Sequence, residues 1–472
     1  MSKVIATIGP RTESKEKIRK LSELGVKIFR LNLSHNNLEW HINVINNIRE
    51  VSLSNSILVD IPGRKIRTTF NVSKEPFKKN EIIYLVSNNS NNIFLKSTFI
   101  YEINNNIIFK MVKKGMKVYA DDGRLSFEVE SVNNNYVSLK TNCEGTLKEC
   151  KGINIPESSF FNNELTDKDK FYLDFCCEHK VDFVGISFVD KAKYLEKIQS
   201  YIGERTLKAI AKIENSSAIK NLSEILKISY AIMIDRGDLS VETNPSGIGI
   251  LQKNILYEAN KLGVPVIVAT EMLHSMHESI YPTKAECNDI TNSVLDGASC
   301  LMLSGETAVG KNPNESIITI RSIIELTQEY VSDNNNIPLE CMNNDQLGQA
   351  DVMAASVSLI ASSKLSKGLV CISKTGEGVR FLSRYINKDF YCITDSYETL
   401  RHLNVFKNVK PILSNVVFKK KDRFHIYSIA RQLIDNGWNP EELYTFIYIS
   451  EGGSGLRLNT IQINYLKTLA SF

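Results

Sequence analysis

Short apolar runs and amphipathic stretches alternate from the start of the chain. The runs at 3–9, 26–33 and 56–61 are rich in apolar residues and read as strands. Between them, 14–24 and 38–51 place apolar residues at helical spacing. From about 71 to 155 the rhythm changes to short β-rich runs at 81–86, 117–120, 125–129 and 136–140. Asn104 to Asn106, Asn133 to Asn135 and Asp122-Gly123 punctuate these runs as turns. The βα rhythm returns at 166. Strands are predicted at 182–188, 208–214, 230–235, 265–270 and 300–304, and helices at 191–203, 216–227, 249–262, 284–296 and 313–330.

Three βα units before the interruption and five after it make eight, the number that closes a (β/α)8 barrel, although an open sheet can also hold eight strands. Polar positions separate the two. Arg30, Asn32, Ser34, Asp60, Ser187, Lys212, Glu214, Asp238, Thr270 and Glu306 fall at or just beyond strand ends. In a barrel these ends share one face, so the groups converge on a single mouth. The expected fold is α/β: a (β/α)8 TIM barrel from 1–70 and 156–332, with an inserted β-barrel lid domain at 71–155 overhanging the mouth. A polar, Pro-interrupted linker at 331–347 leads to a C-terminal α/β domain at 345–472, with apolar runs at 368–372, 390–393 and 444–449.

Composition narrows the class. With 43% hydrophobic and 23% charged residues among 472, the chain is neither disordered nor fibrous. A net charge of +4 without a long basic block argues against nucleic acid as a partner. No apolar run is long enough to span a bilayer, so no membrane partner is expected. The N-terminus enters a strand without a signal-peptide pattern, and nine cysteines without a C-x-x-C pair indicate a reduced, cytoplasmic protein.

Lys212 and Glu214 alternate onto one side of their strand, and Asp238 follows the next strand. Two carboxylates from neighbouring strand ends suit Mg²⁺ (or Mn²⁺), with a lysine supplying fixed charge for a migrating phosphoryl group or an enolate. The plain alternative is a strand-end salt bridge. Arg236-Gly237-Asp238 before a helical stretch offers backbone N–H groups to an anion, and Gly237 permits close approach. Arg30, Asn32 and Ser34 share a strand face, and Arg64, Lys65 and Arg67 offer charge for a nucleotide phosphate chain. His274 and His277, with Glu271 and Glu278, invite a zinc reading that lacks a third ligand and any flanking cysteine. Ser373-Lys-Thr-Gly-Glu-Gly378 reads equally as a phosphate-binding turn, with Gly453 to Gly455 facing it, or as a tight βα turn.

Taken together, the segments resemble the pyruvate kinase family over most of the chain. The resemblance is carried by Lys3–Pro10, Arg30–His35, Val118–Gly123, Lys151–Pro156, Lys212–Asn215, Arg236–Leu239, Ala269-Thr270, Pro282–Glu286, Leu295–Ala298 and Met302–Thr307. It implies the glycolytic transfer of a phosphoryl group from phosphoenolpyruvate to ADP, giving pyruvate and ATP, in a cytoplasmic homotetramer. It also implies roles. Lys212 stabilises the phosphoryl in transit and the enolate, Arg30 and Arg67 neutralise the phosphoryl, and Thr270 joins the proton relay. Glu214 and Asp238 hold the divalent ion, and Gly237 and Asp238 line the substrate. His35, Arg67 and Lys151 lie on the nucleotide side. Asn32, Ser34, Asp60 and Ile61 match a monovalent site.

The chain departs from the family pattern in three places. Asp235 replaces an alanine, Glu271 replaces a glutamine, and Lys65 replaces the glutamate of potassium-dependent members, so K⁺ is not expected to be required. Asp235 and Glu271 raise the alternative of a related phosphotransferase acting on another enol phosphate or 2-oxo acid. A lyase-type barrel leaves the lid residues without a purpose, and a non-catalytic relic conflicts with intact Lys212, Thr270, Glu214 and Asp238.

Overall fold

The computed structural model describes residues 1–471 except 64, 72–74, 88–98, 122, 157–163, 334–348, 363–364, 419–424 and 449–459. Arg64, most of the linker and Gly453 to Gly455 therefore lie outside the described residues, as does Asp122 of the predicted turn. The strands in chain order are β1 (Lys3–Thr7), β2 (Ile28–Asn32), β3 (Ser56–Asp60), β4 (Ile66–Asn71), β5 (Ile82–Ser87), β6 (Ile100–Ile103), β7 (Lys117–Ala120), β8 (Leu125–Val132), β9 (Tyr136–Thr141) and β10 (Gly152–Asn154). They continue with β11 (Phe183–Ile186), β12 (Lys208–Ile213), β13 (Ala231–Asp235), β14 (Val266–Ala269), β15 (Cys300–Leu303), β16 (Gly368–Ile372), β17 (Phe390–Thr394), β18 (Val409–Leu413), β19 (Leu443–Tyr448) and β20 (Thr460–Tyr465).

Eight parallel strands close in the order β1-β15-β14-β13-β12-β11-β3-β2. Almost every residue in them is buried, because helices cover the outside and side chains fill the inside. The helices begin where the sequence supplies caps. Ser14 accepts the Lys17 N–H, Asn37 the Trp40 N–H, and Thr166 and Thr283 form capping boxes with Asp169 and Glu286.

A second closed barrel of seven strands, β10-β4-β6-β5-β9-β8-β7, is inserted after β3 and packs around Phe77, Tyr101 and Phe127. It takes in Ile66–Asn71, five residues ahead of the boundary read at 71. Ile66 pairs with Ile153 and Arg67 with Gly152, so this segment belongs to the lid's ladder. Nothing local marks this segment as lid, because its partner strand lies more than 80 residues away.

The third sheet runs β18-β17-β16-β19-β20, parallel except for β20. Edge strands β18, with Lys410 and Pro411, and β20 are only partly buried, so neither carries a strong apolar run. This domain seals the barrel floor, where Phe183 and Tyr230 stack against His402 and Phe406.

Candidate active site

Strand periodicity builds the site. Along β2, β3, β12 and β13 one set of alternate residues runs from apolar at the floor to charged at the mouth. Ile28 is followed by Arg30, Leu58 by Asp60, Ile210 by Lys212, and Met233 by Asp235. A two-residue step carries each strand from packed core to reactive end.

Lys212 is buried, with its Nζ 2.6 Å from Glu214 Oε1, 3.0 Å from Asp235 Oδ2 and 3.7 Å from Asp60 Oδ2. Arg30 donates from Nε to Asp60 Oδ2 at 3.0 Å and from Nη1 to Thr7 Oγ1 at 3.2 Å. The Phe188 N–H donates to Glu214 Oε2 at 2.6 Å. Asp238 stands in the first turn of the helix Arg236–Glu242, and its Oδ1 accepts the Lys65 ammonium. Oxygens of Glu214, Asp235 and Asp238 lie within 4.8 Å of one another, the one such cluster of potential ligands among the described residues. An all-oxygen, carboxylate-rich set fits a hard divalent ion such as Mg²⁺ or Mn²⁺.

The charges are set by competition. Burial is the largest influence on Glu214; Lys212 opposes it, Asp235 and Asp238 reinforce it, and the carboxyl ends above its usual range. Burial pushes Asp235 and Asp60 the same way. There Lys212 outweighs it, with Arg30 adding at Asp60, and both carboxylates are held low. Burial works against the Lys212 ammonium, but Asp60, Glu214 and Asp235 together keep it firmly protonated.

Thr270 follows β14 in a left-handed conformation at φ 70°, and Glu271 follows at φ 55°. Consecutive non-glycine residues in this region persist only when neighbours hold them. Arg236 does so: its Nε and Nη2 donate to Thr270 O at 3.2 and 2.5 Å, and its Nη1 donates to Asp289 Oδ2 at 2.6 Å. Buried Glu306 braces the next step, accepting the Leu273 N–H at 3.1 Å and the Ser304 N–H at 2.8 Å. The Thr270 hydroxyl donates to Ala269 O at 2.6 Å and accepts the Gly237 N–H at 3.0 Å. Sequence reading noticed Arg236 and Glu306 as charges at strand ends but not as braces, since their acceptor and donors are backbone atoms of distant turns.

The remaining candidates divide by location. Arg67 and Lys151 lie together on the lid, where Arg67 pairs in register with Gly152. Arg67 is exposed and donates to Cys150 O at 3.1 Å, and Lys151 pairs with Asp121 at 2.5 Å. His35 is exposed on the barrel rim, its N–H donating to Asn32 O at 3.1 Å. Asn32 stands in register with Asp60 and accepts the Ser34 N–H at 3.0 Å, while Ile61 O accepts the Ser187 hydroxyl at 3.3 Å. Asp60 Oδ1 is buried against Gly185 without a hydrogen-bond partner among the described residues.

His274 and His277 stack at 5.0 Å on a short 3₁₀ turn and belong to no three-ligand cluster among the described residues. In the 373–378 turn the Gly376 N–H is taken by Ser373 Oγ at 3.0 Å, and Lys374 reaches Phe418 O at 3.3 Å.

Residues 1–317 match the family model for the pyruvate kinase barrel domain. The chain belongs to the pyruvate kinase family. It is 34% identical over 425 residues to pyruvate kinase 2 of Synechocystis, covering 87% of this chain and 70% of that one. It is 33% identical to a pyruvate kinase of Clostridium perfringens, covering 81% of this chain and 82% of that one. With pyruvate kinase 1 of Candida glabrata it shares 32% identity over 87% of this chain and 84% of the other. The (β/α)8 barrel, inserted β-barrel and C-terminal α/β sheet are the expected layout of a pyruvate kinase family member, and the chain is a phosphotransferase. Against that family's pattern the two added carboxylates separate: Asp235 is buried against Lys212, while Glu271 is exposed.

Proposed function

We propose that the chain is a pyruvate kinase that moves the phosphoryl group of phosphoenolpyruvate to ADP, a glycolytic reaction. The observation that carries this reading is the placement of Lys212 among Glu214, Asp235 and Asp60 at the mouth of a barrel of this family. Phosphoryl transfer needs positioning and charge neutralisation more than covalent chemistry, and these groups supply both. The Arg30 guanidinium, held by Asp60 and Thr7, presents its remaining donors to the phosphoryl oxygens. The Lys212 ammonium neutralises charge on the phosphoryl in transit and on the enolate left behind. Glu214 and Asp238 would hold Mg²⁺ or Mn²⁺, which when bound would supply further positive charge to the transfer.

The Thr270 hydroxyl, fixed by Ala269 O and the Gly237 N–H, begins the path by which a proton reaches the enolate carbon. Gly237 lines the substrate with Asp238. Arg67 and Lys151 on the lid and His35 on the rim receive the nucleotide, and Arg67 also meets the phosphoryl. At the Asn32, Ser34, Asp60 and Ile61 position, Arg30 and Lys212 already neutralise Asp60, which supports turnover without K⁺. The barrel, lid and C-terminal regions act as three domains.

A cytoplasmic homotetramer is the matching assembly. Exposed Ile318, Leu326 and Tyr330 on the helix Pro313–Asp333, and Val352 and Leu359 on Gln349–Ser362, support it. No helix among the described residues is long and apolar enough to cross a membrane. The deciding experiment supplies Mg²⁺, ADP and a panel of enol phosphates and follows ATP. Phosphoenolpyruvate is expected to be the best donor. A different enol phosphate turning over faster, or none at all, overturns the assignment.

A further inference from the structure

Asp235 has no place in the roles given above, yet it is buried at the centre of the site. Its Oδ2 is 3.0 Å from Lys212 Nζ, and its Oδ1 faces Gly237, where an added Cβ would come within 3.6 Å of it. It ends β13, directly before the helix that carries Asp238, and stands in register with Ala269, the residue before Thr270. One ligand atom from each of Glu214, Asp235 and Asp238 falls within a 4.8 Å span.

We propose that Asp235 is a third carboxylate ligand of the divalent cation, so that this chain holds the ion more tightly than Glu214 and Asp238 alone would. The inference rests on the reading of Glu214 and Asp238 as metal ligands, and three observations favour it. First, Glu214 gives one oxygen to the Phe188 N–H and the other to Lys212, and Asp238 gives one to Lys65, so neither carboxylate is undivided. Asp235 meets the lysine through Oδ2, and its other oxygen, Oδ1, lies on the Gly237 side. Second, a hard ion held by two carboxylates leaves most of its shell to water and substrate, and a third carboxylate adds a ligand and a negative charge that the protein itself supplies. Third, Lys212 spans Glu214 and Asp235 at 2.6 and 3.0 Å, so the two carboxylates already stand close enough to share one cation.

The test is Mn²⁺ binding to the full chain without substrate or nucleotide, read as loss of the electron paramagnetic resonance signal of free Mn²⁺. Wild type is expected to bind one ion. Asp235→Ala is expected to bind it tenfold or more weakly, and Asp235→Asn to fall between the two. Asp238→Asn serves as the reference for loss of a proposed ligand, far-UV circular dichroism with a cooperative thermal melt shows that each variant is folded, and the Mn²⁺-induced rise in Tm gives a second reading of binding. If Asp238→Asn weakens binding and Asp235→Ala changes it less than tenfold, Asp235 is only a partner of Lys212 and the inference is overturned, while the two-carboxylate site stands. If Asp238→Asn also binds as wild type does, the metal site lies elsewhere and both readings fall together.

Discussion

One ammonium, Lys212 Nζ, faces three carboxylates: Glu214 at 2.6 Å, Asp235 at 3.0 Å and Asp60 at 3.7 Å. Its charge is secured by this crowding, so replacing it removes an interaction that strengthens as charge develops on the reacting oxygens. Lys212→Met should lower kcat on the order of 10²–10³-fold with little change in KM, as expected for loss of a preorganised cation. Steady-state kinetics with circular dichroism as a fold control checks this, and a variant keeping more than about a tenth of kcat would remove Lys212 from the mechanism. Asp235 acts in the opposite sense on an anionic substrate. At saturating divalent ion, Asp235→Ala should lower KM for phosphoenolpyruvate severalfold, because a buried negative charge leaves the mouth. An unchanged or higher KM would mean that the carboxylate does not face the bound substrate.

Two lid elements touch the mouth. The residues ahead of β4 bring Lys65 onto Asp238, and the end of β10 brings Asn154 Nδ2 to Glu242 Oε1 at 2.7 Å, both partners buried. Lys65 thus delivers its charge to Asp238, and not to Asn32 or Asp60, which already has Arg30 and Lys212. Adding K⁺ to enzyme assayed in tetramethylammonium buffer should raise turnover less than about tenfold; a larger rise would show that these cations do not replace the ion.

Glu242 is pushed up to about 7, chiefly by burial, which disfavours its charged form. Its folded value exceeds its unfolded one. Its contribution is therefore fully present below about pH 4.5 and is lost as pH rises towards 7, by at most about 3 kcal/mol. Glu242→Gln keeps an acceptor for Asn154 and should flatten the fall in Tm between pH 5 and 7, measured by scanning calorimetry. An unaltered slope would show that Glu242 ionises without consequence for the lid.

Across the molecule, the C-terminal domain closes the barrel floor through a buried ion network. Asp182, one residue before β11, accepts Arg401 Nε at 2.6 Å, Arg49 Nη2 at 2.8 Å and the Ile57 N–H at 2.8 Å. Around it Ser56 donates to Arg401 O at 2.7 Å, and Asn404 donates to Ser56 at 2.9 Å. Asp182→Ala leaves the buried Arg401 and the half-buried Arg49 without their anion and should destabilise the chain by about 3–5 kcal/mol. Chemical denaturation reads this directly. A loss below about 1 kcal/mol would place the network among exposed, weak pairs.

The βα alternation, the interruption after the third unit and the charged residues at strand ends were all legible in the linear chain. Period-two and period-3.6 patterning is local, and a charged residue at the inward end of a strand is costly to bury unless it is paired or functional. Lys212, Glu214 and Asp238 stood out on those grounds, and the motifs around them marked the family. Closure and partnership were decided only in three dimensions. Ile66–Asn71 joined the lid because β10 pairs with it from far along the chain. Lys65 went to Asp238, Arg236 to the carbonyl of Thr270, and Asp235 inward while Glu271 turned out to solvent. Each of these outcomes depends on which strand lies beside which and on how a two-residue turn is twisted, quantities set by packing the whole barrel and not by any stretch of residues within it.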